Sequence, residues 1–264
     1  PFVPTPEEVV NTMLNLAAVQ KDDTLFDLGC GDGRIVITAV KRYGARGIGI
    51  DIDPDRIAEC LENAKDAGVS DRVTFRQADL FETDFSEASV LTLYLLSTVN
   101  LRLRPVILNT LRPGVRVVSH DFSMGEWPAD RTERLETDNN HHTVYYWVVP
   151  ANFSGVWEWK MTGAYEGNYT LKISQLFQKA SGVIASGGMS EPIKDAAVTG
   201  GLVQFTAPLK KAGGGTVMAK FSGNVIGDAF ECTVVPEGGN AVNFSAIRDR
   251  STKKALDAGA ADTR

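Results

Sequence analysis

The chain of 264 residues contains few of the side chains that form crosslinks or metal centres, with three cysteines and three histidines. Cys30, Cys60 and Cys232 form no CxxC pair, and an odd number of cysteines argues against a disulfide framework or a zinc site. Runs of apolar residues stay short of the ~18–20 residues that a membrane-spanning helix needs. These shortages argue against a disulfide-stapled scaffold and against a membrane span.

The acidic residues are concentrated in the first part of the chain. Residues 1–150 carry a net charge of −8 and residues 151–264 a net charge of +2. An acidic surface repels the phosphates of nucleic acid and suits a cationic or neutral substrate. We therefore expect no nucleic-acid partner and a cytoplasmic location, with export as the alternative if a signal peptide preceded Pro1.

Short β-branched runs alternate with helical patterns up to about residue 150. This alternation predicts an α/β sheet of parallel strands with helices on both faces. Thr5 is expected to cap the first helix through its hydroxyl, with Pro6 in the first turn and Glu8 closing a capping box. Strands are predicted at 24–28, 47–51, 73–77, 89–95 and 115–119, helices at 5–17, 34–43, 53–68 and 99–111, and an antiparallel pair at 131–135 and 143–149.

The pattern changes at Pro150, after which strands with a period of two are separated by glycine-rich turns such as 213–215. This pattern is typical of an antiparallel β sandwich or barrel. Residues 150–155 are turn-forming, which indicates a domain boundary. The predicted domains are 1–152 and 153–250, followed by a flexible tail at 251–264.

The most informative segment reads Asp27-Leu28-Gly29-Cys30-Gly31-Asp32-Gly33-Arg34. Three alternate glycines follow a strand and open a helix, where they allow a sharp turn and the close approach of a ligand to the backbone. A nicotinamide-binding loop would have a third glycine at the position of Arg34, which argues against a dinucleotide.

The pattern D-x-G-x-G-x-G resembles motif I of the class I S-adenosylmethionine (SAM)-dependent methyltransferases, and the resemblance implies a Rossmann-like sheet that binds SAM. It further implies that Asp51 accepts the ribose hydroxyls, that Asp79 meets the adenine, and that Tyr94 lies beside the sulfonium. The implied cofactor-binding residues are Asp27, Gly29, Gly31, Gly33, Asp51, Ile52, Asp79, Leu80 and Tyr94.

Two further segments resemble a narrower group, the small lysine methyltransferases related to the enzyme that modifies the ATP synthase c-subunit. They are the N-terminal 2–6, Phe-Val-Pro-Thr-Pro, and 32–36, Asp-Gly-Arg-Ile-Val. The resemblance covers about residues 1–150 and implies a protein lysine as substrate. This sequence departs from the family at Cys30, where serine is frequent, and by carrying the whole second domain. Segment 221–228 of that domain resembles a lipocalin-like module. A small-molecule methyltransferase and a SAM-binding scaffold protein are the alternatives.

The remaining candidates lie after the fifth strand. His120, with Asp121 beside it, could accept a proton from the substrate or could be a hydrogen-bonded residue at a strand end. Asn100 could contact the substrate, although a role as helix cap is slightly favoured. The pair His141-His142 is not expected at a metal, because no cysteine lies nearby and the neighbouring Asn139 and Asn140 indicate a hairpin turn. We expect no essential metal and no covalent intermediate, because a sulfonium donor is already activated and needs mainly alignment.

Overall fold

The computed structural model describes residues 2–137 and 140–258. The chain divides into two compact units that meet between Val149 and Pro150, close to the predicted boundary after residue 152. Among the described residues, no helix is long and apolar enough to span a membrane.

Unit 1 is a mixed sheet flanked by helices. Its strands have the order β3-β2-β1-β4-β5-β7-β6, in which β1 to β5 are parallel and β7 is antiparallel to both of its neighbours. The helices are α1 (Glu7–Leu16), α2 (Arg34–Tyr43), α3 (Pro54–Asp66) and α4 (Ser97–Thr110). The strands are β1 (Thr24–Leu28), β2 (Arg46–Asp51), β3 (Val73–Gln77), β4 (Val90–Leu93), β5 (Arg116–His120), β6 (Arg131–Thr137) and β7 (Asn140–Val148).

Helices cover both faces of this sheet, as the sequence predicts. Successive side chains of a strand point to opposite faces. Val118 of β5 packs in one core cluster with Met13 of α1 and Val36 of α2. The next residue, Ser119, accepts a hydrogen bond from Asn100 of α4 at 3.2 Å. His120 therefore points to the face of α1 and α2, the face that the N-terminal segment also reaches.

Unit 2 is an antiparallel sheet with the order β11-β10-β9-β8-β16-β15-β14-β13-β12. Contacts between β10 and β12 and a hydrogen bond from Ile193 N to Gly182 O bring its two ends together, so the sheet is a nearly closed barrel. Its strands are β8 (Gly155–Met161), β9 (Gly167–Leu176), β10 (Lys179–Ser186), β11 (Met189–Pro192), β12 (Lys194–Thr199), β13 (Leu202–Lys210), β14 (Thr216–Ile226), β15 (Ala229–Pro236) and β16 (Val242–Asp249).

Aromatic side chains fill the centre of the barrel. Trp157, Phe221 and Phe230 are at most 1% exposed, and the burial of β8 alternates with the pleat of the strand. Full burial of one such side chain contributes about 1.5–3 kcal/mol, so these aromatics dominate the stability of unit 2.

The segment after β16 corrects the prediction of a flexible tail from Ser251. Thr252 accepts a hydrogen bond from Val156 N through its hydroxyl at 2.8 Å. Leu256 is 1% exposed, and its carbonyl accepts from Phe177 N. The polar composition of this segment gives no sign of these contacts, which hold residues 251–258 against unit 2. The rest of the predicted tail, 259–264, lies outside the described residues.

Candidate active site

The glycine segment forms a backbone cradle between β1 and α2. Gly29, Gly31 and Gly33 have φ angles of 76°, 55° and 80°, a region that favours glycine. Gly29 N and Cys30 N both donate to the carbonyl of Ile50, which fixes the loop to β2. A Cβ on Gly31 would lie 2.2 Å from the ring of Phe2. Gly31 and Gly33 are buried, and because the loop lacks side chains at these positions, the Phe2 ring packs directly against its backbone.

Asp51 ends β2 and binds the cradle directly. One carboxylate oxygen accepts from Gly31 N at 2.9 Å, and the other accepts from Asp53 N at 3.0 Å. Asp53 caps α3 by accepting from Asp55 N at 2.9 Å, as the sequence predicts. The two neighbouring acids therefore have separate tasks, because Asp53 serves the helix and Asp51 faces the glycine loop.

The other predicted cofactor residues continue along the same edge of the sheet. Asp79 follows β3 and is exposed, and one of its oxygens accepts from Phe81 N at 2.8 Å. Leu80 is half-buried beside it, and Ile52 is 70% exposed after β2. Tyr94 follows β4 and lies over His120 with ring centroids 3.9 Å apart. The carboxyl ends of β1 to β4 thus gather polar and apolar side chains suited to a nucleoside.

Asp27 lies beneath this edge and is 2% exposed. Its carboxyl accepts a hydrogen bond from the Thr92 hydroxyl at 2.8 Å. Burial, together with the nearby charges of Asp51 and Asp32, raises the pKa of Asp27 to about 7, against the opposing hydrogen bond from Thr92. A buried acid with acidic neighbours favours a cationic ligand, and SAM carries both a sulfonium and an ammonium group. The residues present therefore fit the cofactor.

This pKa predicts that SAM binds more tightly as the pH rises from 6 to 7. The carboxyl of Asp27 holds its proton below about pH 7, and a cation favours the ionised form, so binding releases a proton. We expect affinity to rise by up to about tenfold over that pH unit and to level off above it. Calorimetry in two buffers of different ionisation enthalpy measures the released proton. Asp27→Asn should remove the pH dependence, and a slope that persists in this variant would exclude Asp27 as its source.

A second cluster lies at the end of β5, around His120, which is fully buried. Its Nδ1 is 3.2 Å from the Thr5 hydroxyl, and its Nε2 is 3.1 Å from Asp121 Oδ2 and 2.9 Å from His142 Nδ1. The sequence predicts that Thr5 caps α1, and this prediction is wrong. Pro6 occupies the N-cap position, and no side chain caps the helix. The hydroxyl of Thr5 instead contacts His120 at the end of β5.

The same contacts bear on the two predictions for His120. Burial lowers the pKa of His120 to about 4, so the ring is neutral at physiological pH, and each of its nitrogens lies near a polar partner. These contacts favour a hydrogen-bonded residue at the strand end, and the proton-accepting role stays a prediction. Asp121 is less enclosed than His120, with 28% of its side chain exposed and a φ of 59°.

Asn100 is neither a helix cap nor open to a substrate. It lies inside α4 and is fully buried, with its amide donating to Phe122 O at 3.0 Å as well as to Ser119. Asn100 instead positions the loop after β5. His141 and His142 both belong to β7, which pairs with β6 up to Thr137 and Asn140, and the residues that join the two strands, 138–139, lie outside the described residues. His141 is 85% exposed beside Glu136, whereas His142 turns inward to His120.

Comparisons with known proteins place the resemblance on unit 1. The ANTKMT methyltransferase domain family matches residues 27–131. A protein-lysine N-methyltransferase of Saccharolobus islandicus is 45% identical over 56% of this chain and 93% of its own length. The human lysine N-methyltransferase of the ATP synthase c-subunit is 28% identical, and the match covers 49% of this chain and 55% of the human protein.

A solved structure matches the same unit. An RNA methyltransferase from Salinibacter ruber in complex with S-adenosyl-L-homocysteine (SAH) is 58% identical, with a TM-score of 0.54, over 56% of this chain and 94% of that one. The predicted fold, enzyme class and cofactor are therefore confirmed. The near-complete coverage of the Saccharolobus relative, with the glycine cradle and its acids in place, shows that this chain belongs to the SAM-dependent methyltransferase family that includes the protein-lysine N-methyltransferases.

Proposed function

We propose that this enzyme transfers the methyl group of SAM to the ε-amine of a protein lysine. The observation that carries the proposal is the 45% identity to a protein-lysine N-methyltransferase over 93% of that relative. The acidic character of unit 1, with its net charge of −8 over residues 1–150, supports an approach by a cationic side chain.

The glycine cradle and its acids would hold the cofactor. Asp51 and the backbone of Gly31 face the nucleoside side, and Asp27 offers the carboxylate that favours a cation. Bound SAM supplies a methyl group on a sulfonium, which is already a good leaving group. The protein therefore has to align the acceptor with the methyl group, and alignment of this kind can supply ~7–11 kcal/mol.

The acceptor amine must arrive uncharged, since a protonated amine has no lone pair to attack with. Leu96 is 63% exposed just after β4, and Tyr94 and Phe122 lie near each other with ring centroids 6.1 Å apart. Such apolar surroundings favour the neutral amine by desolvation.

A second candidate substrate is RNA, because the 58% identical structure from Salinibacter ruber is described as an RNA methyltransferase. The negative charge of residues 1–150 opposes this interpretation, since phosphate contacts supply much of the affinity of RNA-binding proteins. A small-molecule acceptor is the third possibility, with the barrel contributing to its binding.

One experiment separates these substrates. The full chain is incubated with methyl-tritiated SAM and a cell extract, which is then divided into protein, RNA and small-molecule fractions. We expect label in protein that resists nuclease, and methyl-lysine on mass spectrometry of the labelled bands. Label that follows RNA or the small molecules would overturn the lysine proposal, and an absence of label in all fractions would favour a SAM-binding scaffold. Asp51→Ala serves as the control with weakened cofactor binding.

Chelation is expected to leave methyl transfer unchanged. An activated sulfonium donor needs no Lewis acid, and the alignment of donor and acceptor is the work of the protein. Initial rates with a fixed labelled substrate are compared before and after treatment with EDTA. A rate that falls on chelation and returns with one divalent ion would assign a metal to the chemical step.

A further inference from the structure

Three potential metal ligands converge at the ends of β5 and β7. They are His120 Nε2, Asp121 Oδ2 and His142 Nδ1. The two histidine nitrogens are 2.9 Å apart, and the carboxylate oxygen lies 3.1 Å from His120 Nε2 and 3.4 Å from His142 Nδ1. A single hydrogen bond between the two histidines would explain one of these distances. It does not explain why a carboxylate oxygen lies within reach of both ring nitrogens at once.

The triangle has nearly the dimensions of one face of a zinc tetrahedron. Zinc lies about 2.0–2.1 Å from histidine nitrogens and carboxylate oxygens, so tetrahedral ligands stand about 3.3–3.4 Å apart. An ion above these three atoms would reach all of them with shifts of a few tenths of an ångström. Two histidines and one carboxylate would leave a fourth position open to water or another ligand.

Neighbouring groups hold the three side chains in this arrangement. The Thr5 hydroxyl, 3.2 Å from His120 Nδ1, can accept a hydrogen bond from an N–H at that nitrogen, and this tautomer leaves the lone pair of Nε2 available to an ion. Thr143 N donates to the other oxygen of Asp121 at 2.7 Å. Asp121 also adopts a φ of 59°, which is uncommon for a residue other than glycine and is typical of functional sites. The second contacts of two of the three ligands are therefore already in place.

We propose that His120, Asp121 and His142 bind one divalent transition-metal ion of the zinc class. The proposed methyl transfer does not need this ion. Metal binding would therefore be a separate function, at a site next to the residues where the methyl acceptor is expected. The family model ends at residue 131, before His142. The third ligand thus comes from β7, beyond the matched segment.

The site is tested on the full, untagged chain after chelator treatment, with SAH bound. Titration with zinc chloride in a calorimeter should give one site of micromolar or tighter affinity. Cobalt(II) in its place should give the intense visible bands of four-coordinate cobalt. Asp121→Asn and His142→Ala should each weaken zinc binding by more than about tenfold. His141→Ala is the matched control. His141 is the exposed neighbour of His142 on the same strand and contributes no ligand, so this variant should bind zinc as the wild type does.

Three results would overturn the proposal. They are wild-type protein that fails to bind zinc at micromolar concentrations, six-coordinate cobalt, and equal zinc affinity in the wild type and Asp121→Asn. The asparagine variant keeps the shape of the side chain and the oxygen that Thr143 N contacts, so it decides the question if His142→Ala fails to fold. Because the readout is metal binding, these outcomes are independent of whether lysine is the methyl acceptor.

Discussion

Replacing Asp51 with alanine is expected to weaken the binding of SAM and SAH by about 10- to 100-fold. We expect the Asp51 carboxylate to accept charge-assisted hydrogen bonds from the ribose hydroxyls, and their loss would cost about 1.5–3 kcal/mol. The variant also releases Gly31 N, which the carboxylate holds at 2.9 Å, so the glycine cradle loses one of its supports. Isothermal titration of both ligands measures the effect on the two affinities.

Asp53→Ala is the matched control for this result. Asp53 lies two residues away and caps α3 through Asp55 N, so its loss should lower the free energy of unfolding by about 1 kcal/mol. Its carboxylate makes no contact with the glycine loop among the described hydrogen bonds, and SAM affinity should stay within about twofold. If both variants lose affinity equally, the effect comes from the helix rather than from a cofactor contact. Unchanged affinity in Asp51→Ala would remove Asp51 from the site.

The cofactor half of the site is predictable from the sequence because its signals are local. Gly29 to Gly33 follow a buried strand and precede a helix, and Asp51 ends the next strand, so a parallel sheet brings them to one edge without further information. The structure adds the hydrogen bond between Asp51 and Gly31, which a pattern of spacings does not contain. It also adds the burial that raises the pKa of Asp27.

The acceptor half is not predictable in the same way. Thr5 and His120 are 115 residues apart, and His120 and His142 are 22 residues apart on strands whose register no local pattern fixes. Asn100 has the composition of a helix cap, yet α4 begins three residues earlier, and burial turns its amide toward the loop after β5. Long-range packing therefore overrode local propensity at each of these positions.

Arg248 provides the sharpest test of whether the barrel is an independent domain. Its side chain is 1% exposed, and its guanidinium donates to Asn152 O at 2.7 Å, to Ser154 O at 3.0 Å and to Gly227 O at 2.9 Å. It also lies over the Trp157 ring at 4.6 Å. Arg248→Ala would leave these carbonyls without their donor in the interior of unit 2. We expect a loss of about 3 kcal/mol or more in the stability of the barrel.

Such a loss corresponds to a fall of more than about 12 °C in melting temperature, at 4–8 °C per kcal/mol for a domain of this size. In calorimetric scans of the full chain, we expect this fall in one of two transitions, while SAH raises only the other. Arg248 also pairs with Asp228 at 3.0 Å. Arg250→Ala is the control, because Arg250 pairs with the same carboxylate but is 86% exposed, and exposed pairs contribute at most about 1 kcal/mol. A single transition that shifts with both Arg248→Ala and SAH would show instead that the methyltransferase unit and the barrel unfold together.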